Sequence, residues 1–466
     1  MTKKGDNPGQ HVVVDAGSTP DASMEASTSS ESQRRSLWFL VGSLAGGNLV
    51  SAVLRLVGGV LLGRLVAPAT LGLFNGIGLV LGYAPFLQLG ILNGLNRELP
   101  YFVGKGDRER VRELASAAQA WGLAVGGIVC IALLIVAGWY LAQGKFWQAA
   151  GWATNAVLGL SLFYSTHYLE NTFRTSHDFA RLSLVGVVEN AAALLMLGAV
   201  AVLNFYGLCV RALVAAGVST LLLYLWRPLR VKPKWSLVHL KHLLIIGAPI
   251  FAVGQLFAWW TLINSTLVLK MVGTEGMGLY SMVLIAGSTL ELLPAAMTQV
   301  VYPRMAEEYG RSNSIPELRR IIRRPMVFIA LGMVPVVALA WILVGPAVRL
   351  AVPAYAAAIP AMQWSLLMAL VHSFQPLSSV FNVARRQDLY VAALGIGFAI
   401  YGLFLWWLTR GGPVLTAFPQ AMLAGRAAYM LAVWVFVRYL CNRRPRSPSV
   451  GGDGFESRPA ASGGQL

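Results

Sequence analysis

The chain has 466 residues, of which 56% are hydrophobic and only 12% charged, with a net charge of +17 and a mean hydropathy of +0.62. A soluble domain carries about a quarter charged residues, so a single soluble core is excluded, and apolar runs of roughly 20 residues read instead as membrane-crossing helices. The net charge points to nucleic acid only if it gathers in one patch, which its distribution along the chain excludes.

Residues 1–35 are rich in Ser, Thr, Asp and Gly, lack apolar periodicity and read as a disordered tail. They are too long and acidic for a signal-peptide n-region, and no small-residue cleavage site closes the first apolar run. Twelve spans follow, numbered 1 to 12, at about 37–63, 71–96, 114–142, 150–172, 182–203, 207–226, 243–269, 278–302, 325–347, 357–383, 390–409 and 416–440. The expectation is an all-α polytopic membrane protein. A six-helix half covers 36–226, a basic linker 227–242, a second six-helix half 243–440 and a second disordered tail 441–466.

Lys and Arg in the connecting segments set the orientation. The tails and every second loop hold 29 of the 37 basic residues. The opposite loops hold Arg64, Lys145, Lys270, Arg349 and Arg410, while Arg55, Arg211 and Arg426 fall inside spans. The charge-rich side is therefore expected to be cytoplasmic, with both termini inside. Charge spread along a membrane face makes no nucleic-acid patch, so no nucleic-acid partner is expected. Cys130, Cys209 and Cys441 have neither metal-ligand spacing nor the pattern of a disulfide framework. No metal is expected, and Cys441 beside span 12 reads as an inert thiol rather than an acylation site.

Between spans 2 and 3, the stretch "NRELPYFVGKGDRERVREL" carries nine charged residues in nineteen positions. It fails as a phosphate loop, because Lys105 lacks the upstream glycine spacing, a following Ser or Thr and a preceding strand. A solvated, orienting loop explains it. In span 2, Gly76, Gly78 and Gly82 imitate part of a dinucleotide fingerprint with no strand before them. Gly78, Gly82, Gly90 and Gly94 lie close to one helix face, a spacing that lets helix backbones approach closely in lipid.

The chain repeats itself. Leu71-Gly72-Leu73-Phe74 matches Met277-Gly278-Leu279-Tyr280, and Gly104-Lys105 matches Gly310-Arg311, both at an offset of 206. The repeat unit holds six spans, an even number, so the halves are expected to be parallel repeats about a pseudo-two-fold axis along the membrane normal, with the ligand site between them.

These segments resemble a known family. "LVAPATLGLFNGIGLVLG" after span 1, "NRELPYFVGKGDRERVREL" after span 2, "VVYPRMAEEYGRSNSIPELRR" after span 8 and "VPAYAAAIPAMQWSLL" leading into span 10 are similar to the polysaccharide (O-antigen, Wzx-type) flippases of the multidrug/oligosaccharidyl-lipid/polysaccharide exporter superfamily. The resemblance covers about residues 36–440, and its loose motifs point to the superfamily before the substrate. It implies transport of an undecaprenyl-diphosphate-linked oligosaccharide across a bacterial inner membrane by alternating access, among membrane lipids and alongside a polymerase and other polysaccharide-assembly proteins. The family supplies no catalytic residue to carry over and no cofactor, so the site is argued from charge.

Ionisable groups inside a bilayer cost about 2.5–3.5 kcal/mol at a helix centre and usually line a cavity. A diphosphate headgroup needs its charge compensated, and guanidinium forks do this bidentately. Arg55 in span 1 is the first candidate, Arg426 in span 12 the second and Arg211 in span 6 the third. The alternatives for them are snorkelling or pairing with an acid. Glu291, near the middle of span 8, is protonated, paired with an arginine, or a site that exchanges H⁺ or binds Na⁺. Glu170 in span 4 and Glu189 in span 5 are further coupling candidates, placed near enough to the basic side to reach water. Asn48, Gln88, Asn93, Gln255, Asn264 and Gln375 are amides inside spans, able to bind sugar hydroxyls or to bond neighbouring helices.

Two transporter readings compete with the oligosaccharide flippase, namely a lipid II-type flippase and a cation-coupled small-molecule exporter of the same superfamily. The exporter calls for acids in the cavity of the first half, whereas span 1 carries Arg55 and no acid. A membrane enzyme is disfavoured because the outer loops are short and Glu275 is their only acid.

Overall fold

The protein is described by a computed structural model covering residue 47 and residues 49–312, 314–384 and 386–442. The expected tails, except for Cys441 and Asn442, lie outside the described residues, as do the start of span 1 and Asn48. Every regular element among the described residues is helical. Nine of these helices are long and apolar enough to cross a membrane. The twelve-span expectation is recovered when three features are read together. Span 1 is described only in part. Span 4 is divided by a π-helix, and spans 7 and 8 run on as one helical stretch, Leu237–Ser312, that turns at Gly273 with φ 86.

Several spans depart from the single straight helices expected of them. Span 2 is Pro68–Tyr83, a 3₁₀ turn Ala84–Gln88, then Ile91–Gly104. Pro85 has no N–H to continue the helix, and Leu89 and Gly90 turn the chain at φ 56 and 88. Span 3 starts at Arg108, where the Asp107 carboxylate accepts from the Arg110 amide and caps the helix. Span 9 extends through the basic stretch as Ile315–Ala351. Span 4 contains the π-helix Leu162–Leu169. Span 10 is interrupted after His372 by the 3₁₀ turn Gln375–Leu377, where Pro376 sits. The repeat offset of 206 carries 162–169 onto 368–375, whose last residues enter the break in span 10, so the two halves distort at overlapping places. Irregular backbone at membrane depth is tolerated where it lines a cavity or is covered by protein.

The halves meet across the expected pseudo-two-fold axis. Gly72 and Gly278 are equivalent residues, and a Cβ on either would strike the other segment's backbone: Thr274 carbonyl for Gly72, Pro68 carbonyl for Gly278. Asn75 donates to Ser281, again 206 residues away, at 2.7 Å. From this crossing, span 2 lies along span 7, with Gly76 on Leu269, Gly82 on Leu262, and Gly94 on Leu243. Gly90 and Gly247 press backbone on backbone, and Glu98 accepts from His242 at 2.9 Å near the basic end. Close approach is thus the role of Gly82, Gly90 and Gly94, although the break at Gly90 means they do not share one continuous helix. Gly278→Val is expected to lose about 3 kcal/mol of stability, because backbone cannot move aside as a side chain can. Reduced membrane abundance and thermal midpoint are the readouts, and a wild-type midpoint would refute the crossing.

Candidate functional site

The site is built where span 2 breaks and span 4 bulges. The π-turn leaves helical groups without their usual partners, and side chains take them up: His167 Nδ1 lies 3.1 Å from the Leu162 carbonyl. Asn171 donates to the His167 carbonyl at 2.7 Å and across to the Leu92 carbonyl of span 2 at 3.1 Å. Between these segments and span 7 lies a polar cavity of about 360 Å³, reached from the basic side past exposed Asn96 and Arg174. Gln88, Asn93 and Gln255, three of the amides flagged in sequence, line it together with Thr166 and His167. Asn264 is spent elsewhere, donating to Tyr280 at 2.6 Å and accepting from Tyr401 at 3.0 Å.

A second cavity of about 430 Å³ adjoins at Arg174 and is lined by Glu170, Glu189 and Ser219. Arg174 pairs with Glu170 at 2.6 Å. Arg55 stands within electrostatic range of Glu189. It lies on the seam of span 1, between Gly47, Ser51 and Gly58, which face spans 5 and 6, and Gly59 and Gly63, which face Ile285 and Met282 of span 8. Arg55 is exposed and, among the described residues, has no hydrogen bond or ion pair.

The other two intramembrane arginines are engaged. Arg211 donates from Nε to the Ala193 carbonyl at 3.0 Å, capping span 5 where it kinks at Met196. Arg426, 9% exposed, donates to Glu291 at 2.7 Å and lies over the Phe257 ring at 5.4 Å. His372, at the break in span 10, stands 3.9 Å from the same Glu291 oxygen. His372 is not among the candidates named from the sequence, although a titratable group at depth is the same signal that marks Glu291. Glu291 and Arg426, separate candidates in the sequence, form one pair in which Arg426 is buried and Glu291 half-buried.

On the charge-poor side the halves are fastened. Arg64 donates to the Ala351 and Leu350 carbonyls, capping the C-terminal end of span 9, and Tyr355 donates to the Val66 carbonyl at 2.9 Å. The arrangement is closed on the charge-poor face and polar and accessible on the basic face. Removing this latch with Arg64→Gln and Tyr355→Phe is expected to shift the population about 5- to 150-fold toward a state open on the charge-poor side. A cysteine at Met282, buried behind the latch, then reacts faster with an impermeant thiol reagent added from that side. An unchanged rate would mean that the latch does not gate.

No curated protein matches the sequence. Among solved structures, the fold is similar to an inward-facing multidrug resistance MATE family transporter of the MOP superfamily, with TM-score 0.71, 14% identity, and coverage of 84% of this chain and 94% of that one. An outward-facing structure of such a MATE transporter aligns with TM-score 0.62 at 14% identity, covering 86% and 94%. A MOP superfamily transporter from Pyrococcus furiosus, described as having reversed binding-pocket polarity, aligns with TM-score 0.60 at 14% identity, also covering 86% and 94%. These likenesses establish the twelve-helix, two-half fold. The sequence model of a family described as polysaccharide biosynthesis protein matches residues 61–354, and the chain belongs to that family.

Proposed function

We propose that the protein flips a lipid-diphosphate-linked oligosaccharide from the cytoplasmic to the periplasmic leaflet of a bacterial inner membrane, by alternating access, for polysaccharide assembly. The observation that carries this reading is the asymmetric cleft. Amides and hydroxyls suited to sugar groups line its wall, Arg55 stands within electrostatic range of Glu189 in the adjoining cavity, and the opposite face is latched. The family description supports the pathway. Amide and hydroxyl groups offer both donors and acceptors, which match sugar hydroxyls, whereas an exporter of organic cations needs uncompensated acids. Here Glu170 and Glu291 are paired with arginines, and Glu189 has Arg55 within electrostatic range. Coupling to H⁺ or Na⁺ is proposed at Glu291, with Glu170 and Glu189 as secondary positions. The carrier lipid is undecaprenyl diphosphate, and a polymerase receives the product.

Deleting the gene is expected to remove the surface polysaccharide and to accumulate its polyprenyl-diphosphate-linked precursor in the cytoplasmic leaflet. Accumulation of lipid II instead would assign the protein to peptidoglycan, and no accumulated lipid-linked sugar would sink the flippase reading. Orientation is tested separately by reporter fusions. Those after Gly106 and Lys234 are expected to report cytoplasm, and those after Asn204, Gly273 and Gly411 periplasm. A periplasmic signal at Lys234 would overturn the two-half topology.

A further inference from the structure

We propose that a crease on the outer wall of the N-terminal half is a binding site for one anionic phospholipid of the basic-side leaflet, an acyl chain filling the crease and the phosphate meeting Arg227. The crease has a volume of about 390 Å³ and is walled by Leu123 of span 3, Val157 and Leu160 of span 4, and Leu213, Gly217 and Leu221 of span 6. It runs along span 6 from Leu213 to Tyr224, roughly 16 Å at 1.5 Å per residue. That is about half of a ~30 Å hydrocarbon core, the depth of a single leaflet.

The polar atoms on its floor are spent on one another. Thr220 pairs with Ser161 at 2.8 Å and with Ser165 at 2.6 Å, so the surface offered to a ligand is apolar. A Cβ on Gly217 would meet no atom within 4 Å, which places open space at the middle of the crease. At the basic end the chemistry changes. The Arg227 guanidinium lies 3.9 Å from the Tyr224 ring centre and also interacts with Tyr164, and both tyrosines border the crease. Arg227 opens the run Arg227, Arg230, Lys232 and Lys234, which contains no acid. An apolar slot one leaflet deep with cations at its mouth is complementary to a lipid with an anionic head.

The occupant is a bulk phospholipid rather than the tail of a transported lipid. Span 4 meets the crease with Val157, Leu160 and Tyr164 but meets the polar cavity with Thr166, His167 and Asn171, and the two share no lining residue.

The test is native mass spectrometry of the purified full chain, titrated with phosphatidylglycerol and with phosphatidylcholine of the same acyl chains. The wild type is expected to retain one phosphatidylglycerol in preference. Arg227→Gln is expected to bind it about five-fold more weakly, the effect of one basic residue at an anionic surface, with phosphatidylcholine binding unchanged. Gly217→Leu is expected to reduce phosphatidylglycerol to the phosphatidylcholine background. Its lipid-free thermal midpoint should not fall, since leucine is the better helix former and the space is open. Wild-type binding by either variant overturns the proposal. So does displacement of the bound lipid by an equal concentration of polyprenyl phosphate, which would give the crease to a substrate tail.

Discussion

Replacing Arg55 with Ala is expected to reduce polysaccharide export about 10- to 150-fold while the protein reaches the membrane at near-normal levels. Abundance is preserved because Arg55 is exposed and, among the described residues, makes no hydrogen bond or salt bridge, and its electrostatic neighbour Glu189 is only half-buried and keeps its hydrogen bond with Ser219. Transport falls because, of the three arginines inside spans, Arg55 is the one without a hydrogen bond or salt bridge among the described residues, whereas Arg211 caps a helix and Arg426 neutralises Glu291. On the proposed function, a diphosphate drawn in from the basic side would meet that cation. Losing a charge-assisted contact is expected to reduce transport by about 10- to 150-fold. Arg55→Lys keeps the charge but not the fork and should retain part of the activity. Arg55→Glu should be inactive, placing a second acid beside Glu189. Export measured against membrane abundance, together with the build-up of polyprenyl-linked precursor, gives the answer. Full export by Arg55→Ala would reduce Arg55 to a residue that snorkels or pairs helices.

What the sequence made legible was whatever depends on composition and period. Twelve apolar stretches, the basic-side charge bias and the six-span repeat could all be read from the chain. The repeat even located the central crossing, since Gly72 and Gly278 were its matched residues. Backbone irregularity was not legible. Span 2 carries Pro85, a visible helix breaker, yet the turn at Leu89 and Gly90 depends on packing against Gly247. Span 4 has no proline between 150 and 172, and its π-helix places Thr166 and His167 in the cavity without any local sequence signal. Contacts between distant spans were out of reach for the same reason. Arg64 counted only as an outer-loop charge, whereas the fold sets it on the end of span 9. Glu291 and Arg426 lie 135 residues apart, and no periodicity joins them.

The joining of Glu291 to Arg426 changes what their variants should do. A charge-assisted pair at 2.7 Å with side-chain exposures of 10% and 23% compensates two ions that the bilayer would otherwise penalise. Removing one partner is therefore expected to cost about 3–5 kcal/mol, since it leaves a buried charge unpaired. Arg426→Leu strands Glu291, and Glu291→Leu strands Arg426, so both should lower abundance. The double Leu variant should recover most of it, because two apolar side chains at depth carry no uncompensated charge. Glu291→Gln differs from all of these. Its Oε1 still accepts from Arg426, so the protein should fold, but it can neither release nor take up a proton. His372, 3.9 Å from the same oxygen, supplies a second titratable group at the break in span 10, where backbone can rearrange as the halves move. If protonation of Glu291 frees Arg426 during the transport cycle, Glu291→Gln should be abundant and unable to respond to a collapse of the ion gradient. Gradient-dependent transport by that variant at the wild-type rate would make the pair a structural strut of the C-terminal half and move coupling to Glu170 and Glu189.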